Sequence, residues 1–74
     1  MNWLDRRQPG FREAMQAWVC IVLDAYQGIL PEEAMSSQVL EGMRAEGFRV
    51  SADAQYAARH MIQAALNMRN ADEG

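Results

Sequence analysis

The chain contains no lysine, one histidine (His60) and one cysteine (Cys20). Each scarcity excludes something. A single thiol cannot form an internal disulfide. One imidazole and one thiol, with no cluster of ligands at metal-binding spacing, argue against a metal centre. The expectation is therefore a protein without metal or cofactor. Long apolar runs are also missing. The longest, from Ala17 to Leu23, falls far short of the roughly 20 residues that a membrane-spanning helix needs. The start, Met1-Asn2-Trp3-Leu4-Asp5-Arg6-Arg7, has no apolar core followed by a small-residue cleavage site. It predicts no secretory signal and no membrane partner. A lone cysteine then points to a reducing cytoplasm.

Positive charge is scarce as well. All seven basic residues are arginine, and the net charge is −3. Neutralised phosphates dominate non-specific nucleic-acid affinity, so a mildly acidic chain is a poor candidate for that role.

What is present is apolar. Half of the 74 residues are hydrophobic, enough for a core but for only one domain. A domain this small hides only about 60% of its surface and needs support. With disulfides and metals excluded, regular helix packing and self-association remain, and a homodimer formed through helix one is the expectation.

The periodicity predicts an all-α fold: a compact three-helix domain, 1–74, with a short N-terminal lead-in and helices over about 11–27, 31–46 and 52–69. In the first helix Phe11, Met15, Trp18, Val22 and Tyr26 form a stripe at helical spacing, and Gly28 suits its stop. Pro31 suits the first position of the second helix, and Glu32 and Glu33 meet the positive end of its dipole. Met35, Val39, Leu40 and Met43 supply its stripe. Gly42, inside that helix, costs about 1 kcal/mol against alanine, which points to close approach of a neighbour. Gly47 is the expected stop. Phe48-Arg49-Val50 is compatible with a short extended segment, and Ser51 is a good N-cap for the third helix. Ala54, Ala57, Met61, Ala64 and Met68 form its expected core stripe. Methionine is adaptable, but the helical spacing of these methionines favours core filling.

Three features carry functional expectations. Ala17 to Leu23 is apolar on every side, and such a helix is normally buried all round. Two short neighbours leave one face over, which makes helix one the candidate interface for a second copy or another protein. Trp18, Val19, Leu23 and Tyr26 are its expected residues. The lead-in adds Trp3, Leu4, Arg6 and Arg7, since tryptophan and arginine are enriched at interface hot spots.

The third feature runs from Ser36 to Ser51, where a helix ends at Gly47 and a short turn through Val50-Ser51 opens the next helix. This rhythm resembles the second and third helices of winged-helix repressors of the arginine-repressor type, over less than half the chain. The resemblance implies that Gln55, Tyr56 and Arg59 face the DNA major groove and that Ser51 touches phosphate. Asp53, Glu32 and Glu33 would oppose phosphate there.

His60 has no partner arrangement for acid–base work, and Cys20 lies in an apolar run where a thiol is normally inert. The expectation is a small non-enzymatic protein-binding module. It would regulate or inhibit a larger host protein or complex by occupying its surface, as small phage and mobile-element proteins do. The alternative is a small dimeric helix-turn-helix DNA-binding transcription regulator.

Overall fold

The computed structural model describes residues 7–73, with backbone alone for the last two. Among the described residues, three α-helices make up a compact domain: α1, Phe11–Tyr26; α2, Glu32–Ala45; and α3, Ala52–Glu73. No strand forms among the described residues. The segment Phe48–Val50 runs without regular structure, since no second segment offers it a backbone edge.

The helix ends follow from local chemistry. After α2, the Phe48 N–H donates to the Met43 carbonyl and the Gly47 N–H to the Arg44 carbonyl, with Gly47 at φ +98°. This is a Schellman closure, which places the residue after the glycine against the last turn of the helix. Phe48 accordingly packs on the core and meets the Phe11 ring edge-on at 6.0 Å. Pro31 lies one position earlier than expected, just before α2, with φ −69° and ψ 162°. Its ring fixes a φ that suits the entry, while its carbonyl accepts the Met35 N–H. Ser51 directly precedes α3, and its carbonyl accepts the Ala54 N–H.

α1 and α2 are antiparallel neighbours. The start of α1 meets the turn after α2 through Phe11 and Phe48, and Trp18 in mid-α1 meets Gly42 in α2. α3 closes the third side. Its far end is tied to α1 by Arg69, which donates to Gln27 and pairs with Asp24 at 2.9 Å. Asp24 is exposed, so this ion pair contributes less than about 1 kcal/mol. Arg69→Ala is expected to lower stability by no more than that, with the difference fading in high salt. Thermal melts at two ionic strengths would check both points.

Two of the expected stripes are corrected. In α1 the buried residues are Phe11, Met15, Val19, Val22 and Leu23, whereas Trp18 is half-buried and Tyr26 exposed. In α3 the buried residues are Ala54, Ala58 and Ile62, flanked by half-buried Ala57, Met61, Ala65 and Leu66. Ala64 and Met68, expected in the core, are exposed. At about 100° per residue, the true inner line of α3 is rotated roughly 80° from the expected one. Both lines have helical spacing. Ala54, Ala58 and Ile62 put small side chains beside one large aliphatic, so the helix can sit close to the core and still fill it.

The lead-in is fastened to the loop after α2. The Gln8 side-chain amide donates to the Arg49 carbonyl at 2.7 Å and accepts the Arg49 N–H at 2.6 Å. The side chain thus supplies the pairing that an adjacent strand would have given. Gln8→Ala is expected to cost about 1 kcal/mol, or roughly 4–8 °C in Tm for a domain of this size. A melt followed by circular dichroism would read it.

Candidate functional site

The geometry divides the expected interface residues. Trp3, Leu4 and Arg6 lie outside the described residues, and Arg7 is exposed at the lead-in. Val19 and Leu23 belong to the protein's own core, at 3% and 0% exposure. They lie about 160° round α1 from Ile21, and Arg69 of α3 reaches Gln27 one turn beyond Leu23. Tyr26 sits exposed at the end of α1.

Trp18 is half-buried and stands where α1 meets α2. Its indole lies across Gly42: a Cβ built on that glycine would be 2.5 Å from Cδ2 and 2.6 Å from Cε2 and Cε3. The indole N–H donates to Glu46 Oε1 at 2.9 Å. The ring therefore fills the seam between α1 and α2. The absence of a side chain at Gly42 is what lets it lie there.

Beyond Trp18, one flank of α1 is exposed among the described residues. Ala14, Ala17, Ile21 and Ala25 recur at three- and four-residue spacing. Ala17, Ile21 and Ala25 are exposed and Ala14 half-buried. Ile21, at 53% exposure, is the large side chain of this flank. The sequence expectation singled out its neighbours and passed over Ile21. The signal was available: 14, 17, 21 and 25 form a second apolar line beside the core stripe, with Trp18 between the two. Cys20, expected to be sheltered in the apolar run, is exposed instead, on the outer side of the same helix.

α3 presents a different surface. Tyr56, at 73% exposure, begins an exposed face that continues through Arg59, His60, Gln63, Asn67 and Asn70. No Asp or Glu lies between Asp53 and Asp72 in the sequence. Gln55, Tyr56 and Arg59 line a shallow cleft of about 180 Å³ together with Ala52 and Glu33. Three of the four residues implied by the repressor resemblance therefore come together, with an α2 carboxylate beside them. Ser51 is half-buried at the entrance to the helix. A second cleft of about 210 Å³ lies among Gln8, Pro9, Glu46, Gly47 and Phe48.

Among the described residues, no three His, Cys, Asp or Glu side chains group as metal ligands would. No described helix is long and apolar enough to cross a membrane. No protein-family model matches the chain, and neither the curated proteins nor the solved structures yield a significant match.

Proposed function

We propose that this protein is a small, non-enzymatic, cytoplasmic binding module that docks on a larger protein or complex and regulates or inhibits it, in the manner of small phage and mobile-element proteins. The observation that carries the proposal is the uncovered apolar flank of α1, centred on Ile21 and bordered by the half-buried Trp18. Contiguous apolar surface on a small soluble domain tends to mark a docking site. Trp18 is a suitable anchor, because a large rigid ring buries much area at low entropic cost.

The test uses Ile21→Glu in a tagged full-length chain, with nuclease-treated host lysate and mass determination of what is retained. Surface substitutions of this kind usually change stability by less than about 0.5 kcal/mol, so the fold should survive and melt normally. One stoichiometric protein retained by the unaltered chain and lost with Ile21→Glu is the expected result. Equal retention by both chains would refute a docking role for this flank.

The carboxylate-free outer face of α3 favours a second reading, a helix presented to nucleic acid. Arginine, glutamine and asparagine are the side chains that read base edges in the major groove. Only Arg59 among them neutralises phosphate, however, and Glu33 stands in the same cleft. Duplex affinity is then expected to be weak, with a salt slope near one rather than the steep slope of proteins that make many phosphate contacts. Fluorescence anisotropy with duplex DNA over a salt series separates the two. Saturable duplex binding whose slope falls by about one in Arg59→Ala would favour the nucleic-acid reading.

A further inference from the structure

We infer that the groove between α1 and α2 seats an amphipathic helix of the partner, one whose apolar stripe is flanked by arginine or lysine. This rests on the docking role proposed above and specifies its chemistry.

The groove is built by the antiparallel pairing of the two helices. Its floor is the Trp18 indole over Gly42. One wall is Ala14, Ala17, Ile21 and Ala25. On α2, Gln38 and Ala45 stand four before and three after Gly42, both exposed, and form the other wall. From Ala14 to Ala25 the wall spans about three helical turns. That length suits a helix docked through anchors at i, i+3 or i+4, and i+7. Ala14, Ala17 and Ala25 on one wall and Ala45 on the other let a helix backbone approach closely, while Trp18 and Ile21 supply the large apolar contacts.

Charge selects the occupant. Glu13 lies on the outer edge of the α1 wall, one turn before Ala17. Glu41 lies on the outer edge of the α2 wall, one turn before Ala45. Both are exposed. Glu46 adds a third carboxylate at the floor, bonded to the indole. No arginine of α1 or α2 faces this side. At about 100° per residue, Arg12 falls about 180° from Ile21, and Arg44 falls about 160° from Gly42, roughly 60° beyond Glu41 on the side away from the groove. Arg7 and Arg49 lie at the lead-in end, where Gln8 holds the Arg49 backbone. Arg59 is on α3, and Arg69 is engaged with Asp24. An apolar floor between acidic rims complements a cationic amphipathic helix.

The test is titration of the ¹⁵N-labelled full chain with two designed helical peptides of about 14 residues. Both carry leucine at i, i+3 and i+7; one has arginine and the other glutamate on the flanks. The expected result is that the arginine peptide moves the Trp18 indole N–H and the amides of Ala17, Ile21 and Ala45, and that the glutamate peptide does not. Glu13→Arg with Glu41→Arg should weaken the arginine peptide roughly tenfold at low salt and reverse the preference between the two.

Shifts confined to α3, or equal binding of both peptides, would overturn the inference. A dimer detected by sedimentation and dissociated by Ile21→Glu would also overturn it, in favour of a second copy. If Ile21→Glu abolishes partner capture while the charge reversal leaves capture and its salt dependence unchanged, the docking role stands and the cationic helix falls. If Ile21→Glu changes nothing, both fall.

Discussion

Gly42→Ala is expected to lower the melting temperature by roughly 5–15 °C, although alanine is the better helix former. Two effects compete. In an ordinary helix interior, the substitution gains about 1 kcal/mol from propensity alone. Here the new methyl carbon would lie 2.5 Å from Trp18 Cδ2. That separation is inside van der Waals contact, so the ring or the helix must move. The ring has little freedom, because its N–H is held by Glu46 at 2.9 Å. Displacing it forfeits that hydrogen bond, and overpacking of this kind costs about 1–3 kcal/mol. The clash wins, and for a domain of this length each net kcal/mol lowers Tm by about 4–8 °C.

A double-mutant cycle isolates the cause. Trp18→Leu removes the ring, so Gly42→Ala in that background should cost little or should stabilise. The two changes should depart from additivity by more than the roughly 0.5 kcal/mol typical of independent sites. An unchanged or raised melting temperature for Gly42→Ala alone would mean that the indole does not lie on this glycine.

The sequence makes some of this architecture legible and conceals the rest, for identifiable reasons. Turn chemistry is local, so Gly47, Ser51 and the Pro31 entry mark the end of α2 and the starts of α2 and α3 to within a residue, whereas α3, which has no such stop signal, runs to Glu73, four residues past its expected end at 69. Gly42 is legible in a similar way, since a glycine inside a helix needs a reason and close approach is the usual one. The rotation of each helix is harder. Ala17 to Leu23 is apolar all round and contains no phase, so nothing local states that Val19 and Leu23 point inward while Ile21 points out. α3 offers two lines with helical spacing that part after Ala54, one through Ala57, Met61, Ala64 and Met68 and the other through Ala58 and Ile62. The choice between them depends on how closely α2 approaches, which is a tertiary fact. The same limit applies to the surfaces. That Gln55, Tyr56 and Arg59 share an edge follows from their spacing, whereas Glu33 joins them only when α3 crosses the start of α2.

Leu23 provides the complementary test. Leu23→Ala is expected to cost about 2–5 kcal/mol, because the side chain is fully buried and the neighbours can collapse only partly into the space. At roughly 0.05–0.15 kcal/mol per residue, a chain of this length has only about 4–11 kcal/mol of total stability. The variant should therefore melt at least roughly 10–20 °C lower or lose its cooperative transition. Leu23→Met, which conserves volume, should cost less than about 1.5 kcal/mol.

Ile21→Ala, two residues away on the uncovered flank, should leave the melt nearly unchanged while weakening partner capture. The pair thus separates two roles that adjacent positions in one apolar run would otherwise confuse. Leu23 variants lose binding only in proportion to the unfolded fraction, and Ile21 variants lose it while folded. Chemical denaturation of both, measured beside partner capture at a temperature where each is folded, reads the difference. If Leu23→Ala melts like Ile21→Ala, then α3 does not cover this side of α1, and the interface extends across Val19 and Leu23 after all.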